Sequence, residues 1–200
     1  NNMMNIDGKK MVTSYNNFIT LPQFFSGEHP LLSQPYSPMT IRFFILQAHY
    51  RSTVDFGNEA LQAAEKGLAR LMEGLKNLRR FLDGQKVKGQ PAVEMKYVEE
   101  LKQKLYDAMN DDLNSPIVIS HLFDACRVAN TLVDKKASIT AETAQALYTL
   151  VDTFVHDVLG LAEETGAGNK AREEAFGAVV DMLLQQRQQA KAEKNWALSD

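Results

Sequence analysis

At 200 residues the chain is long enough to bury a sizeable core, and its 44% hydrophobic and 24% charged content is ordinary for a globular protein. A net charge of −3 excludes a generally basic nucleic-acid-binding protein, although it allows a local basic face. The single cysteine, Cys126, excludes an internal disulfide, and no long apolar run or signal peptide is present, so we expect a soluble cytoplasmic protein without a membrane span.

Residues 1–56 form a zone of turns, prolines and aromatic residues. Within it, Ser37 and Pro38 precede apolar residues at helical spacing, which predicts a helix with Ser37 as its N-cap and Pro38 in its first turn. The mixture of turns and short elements predicts an irregular α/β segment. We therefore expect a first domain over residues 1–56.

Beyond residue 57 the chain changes to long helical patterns without an alternating strand pattern. The clearest has spacings of three and four residues, which form a narrow apolar seam typical of coiled coils and antiparallel bundles. Gly84, Gly89 and Pro91 break this helix, and a second is predicted from about residue 92 to 110. The seam consists of Leu61, Ala64, Leu68, Leu71, Leu75, Leu78 and Leu82.

Further cap signals divide the rest of the chain. The run 114–116 (Asn-Ser-Pro) predicts a cap followed by proline at the first position of a third helix, with Asp111 and Asp112 as favourable anions at its N-terminus. Thr140 is the predicted cap of a fourth helix, and a fifth and sixth are expected from about residue 170 through Trp196. The predicted fold is mainly α, an antiparallel helical bundle over residues 57–200 behind a short irregular α/β segment.

Four sequence blocks, in order, carry a family resemblance. The run Lys10–Phe18 resembles the Lys-Met-Ser-Lys-Ser signature loop of class I aminoacyl-tRNA synthetases, with the Asn-Phe pair of the cysteinyl family behind it. The block over residues 37–52 is close to the family's block that ends in Ala-His-Tyr-Arg-Ser. Residues 109–116 match the family's Met-x-Asp-Asp-Phe-Asn-Thr-Pro pattern. Residues 192–200 resemble its closing helix. The resemblance that these blocks carry extends over nearly the whole chain.

The resemblance implies the C-terminal part of a cysteinyl-tRNA synthetase, which activates cysteine with ATP and esterifies it to tRNA(Cys). It implies that the catalytic core, with zinc ligands for the cysteine thiolate, lies outside this chain. The chain itself would then hold no catalytic or metal-binding residue and would be inactive alone. The expected partners are tRNA(Cys), with cysteine and ATP bound through that core, and the family is usually monomeric.

The signature loop implies ATP chemistry, because in the family its lysines neutralise charge that develops on the leaving pyrophosphate. Lys10 matches the first lysine, but Thr13 stands where the second belongs and cannot supply a positive charge. Lys9 is out of register as a replacement. Taken by itself, the loop also fits an ordinary solvated Lys-Lys turn. The residues expected at ATP are Lys10, Met11, Val12, Thr13 and Ser14.

Basic residues are candidates for contact with tRNA phosphates. Arg42, His49 and Arg51 lie near the junction between the two zones, where packing is the favoured role for His49 and Tyr50 and both roles stay open for Arg51. On the first long helix, the alternative is a solvated face with weak Glu–Arg pairs. The predicted tRNA-binding residues are Arg51, Arg70, Lys76, Arg79 and Arg80.

Two other functions compete with a synthetase segment. One is a non-enzymatic helical scaffold or adaptor built on the same apolar seam. The other is a synthetase relative that joins cysteine to a small molecule, which the long bundle disfavours. Cys126 lies among apolar helix positions, so we expect a core cysteine rather than a metal ligand.

Overall fold

A computed structural model describes residues 3–84, 93–134 and 137–163, together with Met182 and Arg187. The chain divides into two compact units, Asn1–Glu163 and Glu164–Asp200, and every element below belongs to the first. The predicted fifth and sixth helices lie outside the described residues. No helix in the described part of the chain is long and apolar enough to cross a membrane.

A small three-stranded sheet joins the beginning of the chain to residues 54–55. Strand β1 (Met4–Ile6) lies between β2 (Lys9–Lys10), which pairs with it antiparallel, and β3 (Val54–Asp55), which pairs with it parallel. Asp7 and Gly8 both have positive φ, of 47° and 75°, as the tight turn between β1 and β2 requires. The Gly8 amide also donates to Oδ2 of Asp55 at 2.8 Å, which attaches the turn to β3.

Two capped helices follow in the first zone. A 3-10 turn at Thr13–Tyr15 leads to α1 (Leu21–Ser26), where Thr20 and Gln23 form a capping box. The predicted helix at Ser37 is confirmed as α2 (Pro38–Leu46), since the Ser37 hydroxyl accepts from the Thr40 amide at 3.0 Å. The irregular α/β character expected of this zone is confirmed.

Within the described residues four longer helices build the bundle, and the predicted mainly α fold is confirmed. They are α3 (Asn58–Gly84), α4 (Met95–Asn110), α5 (Ser115–Val133) and α6 (Ala141–Asp152), the last continued by a π-helical turn at Thr153–Val158. Helix α3 packs against α2, α5 and α6, and α4 packs against α5 and α6. The predicted seam lies in the core, where Leu61 to Leu78 are buried and Leu82 is half-buried.

The caps of α5 and α6 differ from each other. Thr140 caps α6 as predicted, because its hydroxyl accepts from the Thr143 amide at 3.1 Å. Asn114 is the N-cap of α5 but makes no side-chain capping bond, and Pro116 is the second helical residue rather than the first. The helix begins one residue earlier, at Ser115, whose hydroxyl donates to the Leu46 carbonyl at 2.7 Å and so ties α5 to the end of α2.

Arg42 connects α2 to the end of the π-helical turn. Its Nε donates to the Leu159 carbonyl at 3.0 Å, and the adjacent Gly160 has a φ of +61°. A Cβ at Gly160 would press against the Arg42 guanidinium, so glycine is needed there for space as well as for backbone conformation. Arg42, considered above for tRNA contact, therefore has a structural role.

Candidate nucleic-acid interface

The signature loop leaves the sheet at β2 and forms an exposed edge. Lys10, Thr13 and Ser14 are exposed, whereas Met11 and Val12 are half-buried. Met11 continues the pairing, since its amide donates to the Met4 carbonyl at 2.9 Å. Successive strand residues point to opposite faces of a sheet, so Lys9 does not stand beside Lys10. The loop thus presents one family-matched lysine together with the two hydroxyls of Thr13 and Ser14.

Asn17 closes this loop from beneath. Its side chain is 7% exposed, and its Oδ1 accepts from the Val12 amide at 2.9 Å while its Nδ2 donates to the Lys10 carbonyl at 2.9 Å. In the sequence, Asn17 stands out only as part of the Asn-Phe pair behind the signature loop, and no role was predicted for it. The sequence feature that could have pointed to this role is a second polar residue, between Asn16 and Phe18, which an exposed turn does not require.

A second polar cluster lies where α2 ends and meets the turn between α4 and α5. The Tyr50 hydroxyl donates to Oδ1 of Asp112 at 2.7 Å. Nε of Arg51 lies 3.1 Å from Oδ2 of Asp112, and Nη2 of Arg51 donates to Oδ1 of Asp112 at 3.2 Å. Nε of Arg51 also lies 3.0 Å from the Tyr50 hydroxyl, and Nε2 of His49 lies 3.8 Å from Asp112. Four contacts from three consecutive residues, His49, Tyr50 and Arg51, therefore converge on one carboxylate.

Ring stacking reinforces this cluster. The His49 and Tyr50 rings are stacked with centroids 4.9 Å apart, and the Arg51 guanidinium lies 5.4 Å from the Tyr50 centroid. The hydrogen bond to Tyr50, followed by the charge of Asp112, raises the pKa of Arg51 above its usual value. Arg51 therefore stays a cation, and its side chain is 68% exposed. The packing role expected for His49 and Tyr50 agrees with this stack.

The role predicted for Asp112 was wrong. Its carboxylate was expected to act on the N-terminus of α5, but it contacts Tyr50 and Arg51 instead. Asp112 lies in the turn between α4 and α5, where it and Leu113 both have positive φ, of +56° and +55°. Asp111, in contrast, stays near the helix start and accepts from the Asn114 amide group at 3.4 Å.

The four candidate cations on α3 differ in their partners. Lys76 pairs with Glu163 at 3.2 Å, and Arg80 pairs with Glu73 at 3.2 Å. Arg70 and Arg79 are exposed, and neither forms an ion pair within the part of the chain that the structure describes. From Arg70 to Arg80 the helix rises about 15 Å, which is long enough to follow more than one phosphate along an RNA strand.

Cys126 is confirmed as a core cysteine. It is 5% exposed, and its thiol lies 3.8 Å from the Leu71 carbonyl. Burial raises the pKa of the Cys126 thiol to about 11. Among the residues 3–84, 93–134 and 137–163, no group of three His, Cys, Asp or Glu side chains is arranged to hold a metal ion.

Two family models match the chain and agree with this architecture. Residues 1–66 match the model for the class I (C) tRNA synthetase catalytic domain, and residues 104–163 match the model for the DALR domain. An exposed signature loop followed by a helical bundle carrying the second match defines the class as a class I aminoacyl-tRNA synthetase.

Individual relatives narrow the class to one family. The chain is 60% identical over all 200 residues to the cysteine–tRNA ligase of Phocaeicola vulgatus and 55% identical to that of Bacteroides fragilis. It is 39% identical to the Cytophaga hutchinsonii enzyme over 98% of the chain. The chain belongs to the cysteinyl-tRNA synthetase family and spans 39% of the length of each of these relatives.

Proposed function

We propose that this chain is part of a cysteine–tRNA ligase, an enzyme that activates cysteine with ATP and esterifies it to tRNA(Cys). The observation that carries the proposal is the 60% identity to such a ligase over every residue of the chain. Within the enzyme, residues 1–56 would complete the ATP site and the stem-contact region, and residues 57–200 would form the helical anticodon-binding domain. The enzyme would work in the cytoplasm as a monomer.

The signature loop is the proposed contribution to ATP binding. Lys10 is exposed at the end of a short strand, so its ammonium group can approach the phosphates of a nucleotide. Thr13 offers a hydroxyl where the family pattern has a second lysine, so charge stabilisation of the leaving pyrophosphate rests on fewer cations here. Met11, Val12 and Ser14 would shape the rest of the loop.

Zinc, which the family resemblance implies, does not fit the residues described here. Zinc sites use three or four nitrogen, sulfur or oxygen ligands around one point, and the described residues contain no such group. Cys126 is a single buried thiol with a raised pKa, whereas a zinc ligand is a thiolate. We assign the metal to the catalytic portion of the enzyme outside this chain and derive no step through it.

Contact with tRNA is proposed for Arg51, Arg70, Lys76, Arg79 and Arg80. All five side chains are exposed cations, and four of them lie on α3, whose apolar seam is buried, whereas Arg51 lies in the turn after α2. Phosphate contacts of this kind release counterions, so binding falls as salt rises. Since Glu73 already neutralises Arg80, we expect Arg70 and Arg79 to contribute more than Arg80.

A tRNA titration tests this assignment. The purified chain is titrated with tRNA(Cys) at about 50 mM and about 200 mM salt, and we expect binding that weakens steeply between them. Arg70→Gln should weaken binding and reduce the salt slope by about 1, and Arg80→Gln, its matched control on the same helix, should change both less. Equal effects of the two variants would contradict the importance of the Glu73 pair.

Two further results decide between the competing functions. Absence of tRNA binding at the lower salt concentration would favour the non-enzymatic scaffold, or would show that other domains of the enzyme hold the affinity. An aminoacylation assay of the chain alone should give no charged tRNA, because the catalytic core is supplied by other residues. Detectable charging would overturn the assignment of the chain as a non-catalytic part.

A further inference from the structure

The Arg51 guanidinium has two edges that can bind an acceptor, and among the described residues only one of them faces a carboxylate. Nε and Nη2 face Asp112 at 3.1 Å and 3.2 Å. Nη1 has no hydrogen-bond partner among the described residues, and the side chain is 68% exposed. A guanidinium can therefore receive a second bidentate acceptor on its outer edge while the first edge stays bound to the carboxylate.

The residues around Arg51 fix where this free edge points. The Tyr50 hydroxyl donates to Asp112 at 2.7 Å and lies 3.0 Å from Nε of Arg51, so one oxygen braces both partners. Asp112 is itself held in a turn whose φ of +56° is followed by +55° at Leu113. Aspartate tolerates this left-handed conformation, but leucine adopts it rarely, so the surrounding contacts must maintain the turn.

We propose that Asp112 is a positioning residue for RNA binding, which holds one edge of the Arg51 guanidinium so that the other edge faces a backbone phosphate. This inference rests on the proposed function and assigns a partner chemistry to one of its cations. A free arginine loses rotamer freedom when it binds a phosphate, and the contact with Asp112 has already restricted that freedom. The carboxylate thus favours binding through geometry although its charge opposes the phosphate.

The two contributions of Asp112 predict opposite signs, which makes the test sharp. Asp112→Asn removes a negative charge near the RNA, so simple electrostatics predicts tighter binding. Loss of positioning predicts weaker binding, by about fivefold, and a salt slope reduced by about 1 because one phosphate contact is lost. Asparagine accepts positive φ as readily as aspartate, so the turn is expected to persist.

Asp111→Asn is the matched control, because it makes the same charge change one residue away without contact to Arg51. We expect it to leave tRNA(Cys) binding unchanged or slightly tighter. Tyr50→Phe keeps the stacked ring but removes the bracing hydroxyl, so it should weaken binding in the same direction as Asp112→Asn. In an Arg51→Gln background, Asp112→Asn should have no further effect on affinity.

A measurement without RNA separates positioning from folding. The NMR resonance of the Arg51 Nε–H group should shift in Asp112→Asn and stay in place in Asp111→Asn, with equal thermal unfolding midpoints for both. If the unsubstituted chain binds tRNA and Asp112→Asn binds equally or more tightly, the positioning role is overturned while the proposed function stands. If the unsubstituted chain does not bind, the tRNA contacts proposed for this chain are overturned together with the positioning role.

Discussion

The side chain of Asn17 bridges Lys10 and Val12 of the signature loop. Its amide oxygen accepts from the Val12 amide, and its amide nitrogen donates to the Lys10 carbonyl, each at 2.9 Å. A single primary amide thus satisfies a donor and an acceptor of the backbone at a site only 7% exposed. Lys10 is the residue matched to the family's first lysine, so the bridge also holds the backbone from which that side chain extends.

Replacement of Asn17 by aspartate should loosen the loop. The carboxylate can still accept from Val12, but it repels the Lys10 carbonyl and is poorly solvated, so the free energy of unfolding should fall by about 1–3 kcal/mol. Urea unfolding measures this loss, and hydrogen exchange of the Val12 amide should become faster.

Asn16→Gly serves as the control for this change. Asn16 is exposed with a φ of +50°, a conformation that glycine adopts without strain, so the free energy of unfolding should change by less than about 0.5 kcal/mol. If Asn17→Asp proves as harmless as this neighbour, the bridge contributes nothing to the loop.

At Gly74, helix α3 lies close against Cys126 of α5. A methyl group at Gly74 would lie 2.6 Å from Cβ of Cys126 and closer still to its sulfur. Gly74→Ala gains helix propensity of about 1 kcal/mol but forces the two helices apart, so we expect a net loss of about 1–3 kcal/mol in the free energy of unfolding. Thermal or urea unfolding provides the measurement.

Gly67→Ala is the comparison on the same helix. It gains the same helix propensity, and its nearest neighbour would be Cε1 of Phe43 at 3.1 Å, which is tight but not a collision. Its free energy of unfolding should exceed that of Gly74→Ala by at least about 1 kcal/mol. The reverse order would show that α3 and α5 are not packed as closely as described.

The buried thiol of Cys126 should make stability fall at alkaline pH. Burial raises its pKa from an ordinary value of 9.0 to about 11, so the folded state holds the proton where the unfolded state releases it. The contribution of this thiol to the free energy of unfolding is complete below about pH 9 and is lost as the pH rises toward 11. The loss amounts to about 2 kcal/mol by about pH 10.5. Urea unfolding across this range measures the loss.

Cys126→Ala isolates this contribution from other titrations. Burial also raises the pKa of Tyr97, with lesser contributions from Asp124 and from Cys126 itself, so the part due to burial is common to both proteins and cancels from their difference. The variant should be less stable at neutral pH, and the gap between the two proteins should narrow by about 2 kcal/mol at about pH 10.5. A gap that stays constant would mean that the thiol titrates normally and is not buried.

Local sequence patterns were sufficient for most of the fold. The spacing from Leu61 to Leu82 predicted α3, and hydroxyl residues at Ser37 and Thr140 predicted two caps that the structure confirms. These signals succeed because amphipathic spacing and capping act within a few residues of the chain. The start of α5 was misplaced by one residue because Ser115 is bound to the distant Leu46 carbonyl, which no local pattern reports.

The sequence by itself determined the family, the helical architecture and the set of exposed cations, since these follow from motifs, periodicity and composition. Only the tertiary structure decided that Asp112 binds Arg51, which is 61 positions away, and that Glu163 pairs with Lys76 rather than leaving it free. Such pairings arise when separate helices pack and bring remote side chains within hydrogen-bonding distance. Their energies depend on distances that residue spacing along the chain does not encode.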